Sequence, residues 1–324
     1  MKKLFFVVTA LLAVFLAACG SPDPNAASDG GNAPAAANTP TTVVLATPTP
    51  KPAPPTPTSR PAPTVAPLVS ATEAKPAADV APTAVVSPTA QAGPLYDDMV
   101  KVEAGPFKMG QDGSKPKNGP AHQVDVAAFE IDRFEVTNEE FAHFADQTGY
   151  VTYAEKNGAK NWRNAAEGKP NHPVVYVTWN DADAYCKWAG KRIPTEAEWE
   201  KAARGTDGRA YPWGNDFVAA NGNFYEGGIR GTTAVGSFGS GASPSGANDM
   251  AGNVREWTAD YFKAYPGQKA DADPFFGEKN RVNRGGGWFD GQDGELVTTY
   301  NRNAGPPDTS ANDDIGFRCA RDVK

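Results

Sequence analysis

Asp249-Met250-Ala251-Gly252-Asn253-Val254-Arg255-Glu256-Trp257 sets a Gly-Asn turn between two carboxylates and closes on a tryptophan. A tight turn of this kind lets backbone carbonyls face inward. The same nine residues also read as a turn flanked by two unrelated acids. The stretch ends a run from Gly205 to Gly252 in which Gly and Asn-Gly punctuation dominates, so this part of the chain is rich in loops.

Working outward, three helices are expected. Thr137-Asn138-Glu139-Glu140 places a hydroxyl acceptor three residues before a carboxylate, a capping box, and opens a helix with Phe141, Phe144 and Ala145 on one face. A second helix runs from near Asn180 through Ala184, Tyr185 and Trp188 to a stop at Gly190. A third opens on its own box, Thr195-Glu196-Ala197-Glu198, and carries Trp199, Ala202 and Ala203. Brief strands are expected at 107–109, 124–126, 174–177 and 281–284. The class is α+β, irregular and loop-rich, in a single domain over 95–324.

The N-terminal part has a different composition. Lys2 and Lys3 precede an apolar run from Leu4 to Leu16, too short to span a bilayer core, which takes about 20 residues. A charged start, a short apolar run and small residues fit an export signal over 1–18. Leu16-Ala17-Ala18-Cys19 resembles the lipobox of bacterial lipoproteins, which makes Cys19 the lipidated residue and the membrane a partner. Neither Gly20 nor Ser21 is the aspartate that argues for inner-membrane retention, so the leaflet stays open. Residues 19–94 hold 17 of the 29 prolines, much Ala and Thr, and no aromatic residue. Such a segment cannot bury enough apolar surface to offset its ordering entropy, and reads as a disordered, semi-extended stalk. Its Thr-Pro content permits O-glycosylation.

All seven tryptophans and all ten tyrosines lie beyond residue 94, in a segment long enough for one sizeable core. That segment carries a net charge of about −8 and no basic stripe, which argues against a nucleic-acid partner. With Cys19 spent on an anchor, Cys186 and Cys319 remain. An exported location allows one disulfide between them, or two buried thiols.

Several segments appear in a recognisable order: Gly105-Pro106-Phe107-Lys108-Met109-Gly110, Glu135-Val136-Thr137-Asn138, His172-Pro173-Val174, Trp179-Asn180-Asp181-Ala182, the run Lys191 to Glu200, Tyr211-Pro212-Trp213-Gly214, the turn quoted above, Arg284-Gly285-Gly286-Gly287-Trp288, and Gly316-Phe317-Arg318-Cys319. Across 97–322 the chain closely resembles the formylglycine-generating enzyme (sulfatase-modifying factor) family. The resemblance implies a C-type-lectin-related fold and a Cys186–Cys319 disulfide. It also implies a calcium site made of the Asp249 and Glu256 side chains with the Gly252 and Val254 carbonyls. A second calcium site would use Asn223 and the Phe224 carbonyl, but Gly227 stands where an aspartate belongs and Ile229 at the last position, leaving Glu226 as a substitute donor.

Members that form formylglycine use O₂ and a copper(I) held by two cysteines, and soft thiolates suit copper(I) where carboxylates do not. Counting back from Cys319 without gaps puts Asp290 and Glu295 at those two positions. Copper and formylglycine-generating activity are therefore not expected. The two acids could bind a hard cation or share a proton; the simpler reading is a pair of solvated loop acids. A mononuclear iron site needs clustered histidines, and His122, His143 and His172 read as packing residues. Among the tryptophans, Trp162, set among Lys160, Asn161 and Arg163, is the expected exposed one and the candidate ligand contact.

The expected function is a lipid-anchored module in the cell envelope, facing outside the cytoplasm, stabilised by calcium and binding a surface protein or glycan without redox chemistry. Two alternatives remain: an enzyme modifying exported proteins through Asp290 and Glu295, or a structural subunit of an envelope assembly.

Overall fold

The structure, a computed structural model, describes residues 95–158, 160–291 and 294–323. The signal segment, Cys19 and the stalk lie outside the described residues, so lipidation and anchoring rest on sequence alone. No helix among the described residues is long and apolar enough to cross a membrane.

Capping chemistry sets the helices. α1 (Asn138–Thr148), α2 (Tyr153–Asn157), α3 (Trp162–Ala166), α4 (Trp179–Trp188) and α5 (Glu196–Arg204) each begin with a capping box, with Thr137, Thr152, Asn161, Thr178 and Thr195 as the N-caps. In each, the cap side chain accepts an amide near the start of the helix and the residue three on returns a bond to the cap's own amide. α1 stops at Gly149, whose φ of 68° is the left-handed geometry glycine adopts freely.

The strands are β1 (Met99–Val102), β2 (Gly105–Met109), β3 (His122–Val126), β4 (Phe129–Asp132), β5 (Arg255–Tyr261), β6 (Arg281–Arg284), β7 (Arg302–Gly305), β8 (Ile315–Gly316) and β9 (Ala320–Asp322). They form an antiparallel sheet β1-β4-β9, a hairpin β2-β3, and a sheet β7-β6-β5-β8 in which only β5 and β8 are parallel. The expected strand at 174–177 is not one. The Val174 N–H bonds the Val136 carbonyl, but Tyr176 takes φ 60° and bonds Asn312, so the chain turns out of the extended region after two residues.

Among the described residues, three apolar clusters hold these elements, two of them large. Phe141, Phe144, Tyr185 and Phe317 pack between α1 and α4, beside the Cys186–Cys319 disulfide, whose sulfurs are fully buried. Trp199, Ala202 and Ala203 of α5 pack on Phe107, Met109, Phe129 and Ile131. The polar face of α5 is buried too. Glu196 pairs with Arg284 and Arg302, and Glu200 with Arg284 and Arg204. These alternating charges neutralise one another where water cannot reach, as burial requires.

Candidate functional site

The two acids at the copper-cysteine positions have separate fates. β6 runs into Gly285 and Gly286, whose φ values of 91° and 71° turn the chain sharply and bring Asp290 back under β5. Asp290 is 5 % exposed. Its carboxylate accepts from Arg255 Nε at 3.1 Å, Arg255 Nη2 at 2.8 Å and the Gly287 amide at 3.0 Å. The remaining Arg255 nitrogen lies 2.7 Å from Asp314, whose carboxyl is pushed up by burial and pulled back by Arg255. Asp290 is therefore not a solvated loop acid; the guanidinium at the start of β5 makes its burial affordable. Glu295 is one: its side chain is 45 % exposed and pairs with Lys115 at 3.3 Å. The two acids hold different partners and form no shared carboxylate site.

The two cysteines, and the acids the resemblance ties to copper, are otherwise engaged. Cys186 and Cys319 are joined to each other, and the position nearest the family's site is a carboxylate locked by arginine.

Beneath the 249–257 turn lies a denser cluster. Asp249, Gly252 and Asn253 all take positive φ, at 58°, 83° and 61°. Asp249 accepts the Gly236 amide at 2.6 Å. Glu256, at 0 % exposure, spends its oxygens on Arg318 Nε and Nη2, at 2.6 and 2.8 Å, and on the Trp199 indole at 2.8 Å. Glu135, which the sequence reading left out, enters from the loop between β4 and α1. Its carboxylate accepts Asn253 Nδ2 at 2.8 Å and the Val254 amide at 3.3 Å. Three buried carboxylates thus lie near one guanidinium, Arg318. Burial raises the Glu135 carboxyl well above the usual range, and Asp249 and Glu256 raise it further; burial pushes Asp249 up to about 6. Asp249 and Glu135 are oxygen donors of the kind a hard cation takes, whereas the Glu256 oxygens are already committed to Arg318 and Trp199.

At the second expected calcium position, Asn223 is buried and its Oδ1 has no hydrogen-bond partner, while its Nδ2 donates to Gly231 and Asn253. Glu226 is exposed and leans on Gly291, where an added Cβ would lie 2.0 Å from its carboxylate. Among the described residues, no group of three or more His, Cys, Asp or Glu converges as metal ligands. A site here would need backbone and amide oxygens as well.

Residues 83–323 match the family model of the sulfatase-modifying factor enzyme 1-like domain. The chain belongs to that family. The formylglycine-generating enzyme of Thermomonospora curvata is 35% identical over 69% of this chain and 93% of its own. The inactive C-alpha-formylglycine-generating enzyme 2 of Bos taurus is 37% identical over 69% of this chain and 87% of its own. Among solved structures, PvdO from Pseudomonas aeruginosa superposes with a TM-score of 0.56 at 31% identity, over 69% of this chain and 94% of its own. Treponema denticola variable protein 1, at 21% identity and TM-score 0.55, supports the fold.

Within this sulfatase-modifying factor domain, Trp162 is not the exposed tryptophan the sequence led us to expect. It is 2 % exposed and meets Phe141 edge-on, and its indole donates to Glu155 at 3.0 Å. Asn161 caps α3 immediately before Trp162, whose ring lies in the interior, and the Arg163 guanidinium covers it at 4.4 Å from the ring centroid. The polar neighbours that made Trp162 look solvated are its cap and its lid. Arg255 and Glu135 were the residues the sequence reading missed.

Proposed function

We propose that this chain is a lipid-anchored, extracytoplasmic member of the sulfatase-modifying factor family that binds a surface ligand and performs no cysteine oxidation. The observation that carries the reading is the bidentate Arg255–Asp290 pair at the first copper-cysteine position. A buried carboxylate already compensated by arginine offers neither a soft ligand nor an open coordination place. That one of the relatives is named as an inactive formylglycine-generating enzyme agrees with a family that keeps its scaffold without the activity.

In this reading Cys19 carries the anchor and residues 20–94 hold the domain away from the membrane, facing outside the cytoplasm. Calcium is held by the Asp249 carboxylate with the Gly252 and Val254 carbonyls, Glu256 joining only where it gives up a bond to Arg318 or Trp199, and Asn223 Oδ1 with the Phe224 carbonyl begins a second, weaker set. When bound, the ion supplies the positive charge that Arg318 alone does not. The partner is a surface glycan or protein, and no nucleic acid.

Calorimetric titration of the full chain against envelope glycans and envelope proteins tests the binding role. At least one saturable ligand is expected; uniformly absent binding would contradict it.

A further inference from the structure

A pocket of about 330 Å³ opens between the segment after α3, the Tyr176 turn and the Gly287–Trp288 segment. Lys160, Lys169 and Arg230 line it, and among the described residues none of the three has a carboxylate partner. Arg230 instead lies 3.6 Å over the Tyr225 ring and donates to that residue's carbonyl. The only acidic residue of the lining is Asp313, whose carbonyl accepts the Trp288 indole at 3.1 Å. On a domain with a net charge of about −8, most arginines and many lysines are paired; here three unpaired cations gather around one concavity. Their field reaches about 8 Å at physiological salt, enough to cover the pocket but not the acidic surface beyond.

The walls add a second observation. Trp288 and Tyr176 are half-buried and line the pocket. Tyr176 sits at φ 60°, a conformation that a bulky residue enters at a cost of about 1–3 kcal/mol. Its amide is pinned to the Asn312 carbonyl at 2.9 Å, and its neighbours Val175 and Val177 are anchored in the interior. The strained turn is what places the tyrosine ring at the pocket rather than in the core.

We propose that this pocket binds an anionic glycan, one or two sugar rings bearing carboxylates, with the rings against Trp288 and Tyr176 and the carboxylates on Lys169, Arg230 and Lys160. This deepens the binding-module reading above and rests on it. The volume matches a small-ligand site and is too small for a helix. A peptide strand would need an open sheet edge, and the nearest, β8, is covered: the Val174 carbonyl lies 2.7 Å from where a Gly316 Cβ would stand, and Val136 bonds Phe317. Flat aromatic faces bury the apolar faces of sugar rings, and guanidinium and ammonium groups make charge-assisted bonds to carboxylates.

The test is calorimetric titration of the detergent-solubilised full chain with trigalacturonate, neutral galactotriose and hexa-aspartate. Trigalacturonate should bind, weaken as salt rises, and lose at least tenfold in affinity in Lys169→Ala/Arg230→Ala, while the neutral sugar does not bind. Lys279→Ala, an exposed lysine elsewhere, should bind as wild type. The substituted side chains are exposed, and an unchanged melting temperature verifies the fold; Lys169→Glu alone, expected to abolish binding, serves as the second variant. Absent trigalacturonate binding, or equal affinity in the double variant and the control, overturns the site. Tighter binding of hexa-aspartate, or binding of galactotriose alone, overturns the anionic glycan while leaving the binding-module reading standing. Silence from all three probes together with all envelope ligands sinks both.

Discussion

Arg255, the first residue of β5, grips Asp290 through two guanidinium nitrogens and uses its third to hold Asp314 at 2.7 Å. This three-residue bridge ties β5 to the loop after β6 and to the segment before β8. Asp290 is the residue that a gapless count from Cys319 sets at one of the two copper-cysteine positions the resemblance implies. The Asp290→Ala substitution should therefore be structural in effect. Arg255 is about a quarter exposed, so the loss is discounted from the full buried-pair value to about 1–3 kcal/mol. Urea unfolding of the variant measures it, and an unchanged midpoint would show that the pair is ornamental.

The Glu256–Arg318 pair is wholly buried, and Arg318 also donates to the carbonyls of Asp132, Arg133 and Asn248. Arg318→Met leaves Glu135, Asp249 and Glu256 without their guanidinium. A loss of about 3–5 kcal/mol is expected, larger than for the Asp290 variant. Adding Glu256→Gln to Arg318→Met should recover part of the loss, because one buried charge is removed with its missing partner. Double-mutant-cycle unfolding reads both numbers.

Cys186 and Cys319 close a loop spanning 133 positions of sequence. Replacing both by alanine should cost about 2–4 kcal/mol, mainly by freeing the unfolded chain. Thermal unfolding of the double variant against wild type checks this, and reducing agent should lower the wild-type midpoint without affecting the variant.

Lys117, whose ammonium donates to Asn303 at 3.0 Å, carries a pKa pushed down to about 8, first by burial and then by Lys115. The folded protein releases this proton near pH 8, whereas the unfolded chain holds it until about 10.5. Between those values the unfolded state binds more protons, so this group makes stability rise with pH through that window. Below pH 8 its charged form is a standing cost. The difference in stability between wild type and Lys117→Met should change with pH between 8 and 10.5 and be flat below. Titration of isotopically methylated lysines should show one midpoint near 8.

Much of the architecture was legible because it is written locally. The boxes at Thr137 and Thr195 begin α1 and α5 as read, the helix expected near Asn180 is α4, and the strand at 281–284 is β6. The short helices α2 and α3 were missed, although Thr152 and Glu155 carry the same cap spacing, because five residues leave no apolar period to read. The 174–177 segment has strand composition but loses its strand to the Tyr176 turn, a choice made by tertiary contacts. The fate of Asp290 was invisible for a similar reason: its partner is 35 residues away, and only the fold makes them neighbours. Trp162 erred in the opposite direction, since polar residues nearby in sequence were taken for solvent.

The most direct test of the account is chemical. The purified full chain, supplied with copper(I), O₂ and a sulfatase-type peptide containing the target cysteine, should leave that cysteine unmodified by mass spectrometry while an active relative converts it in parallel. Formation of formylglycine by this chain would contradict the account, and would mean that Cys186 or Cys319 leaves its disulfide to do the chemistry.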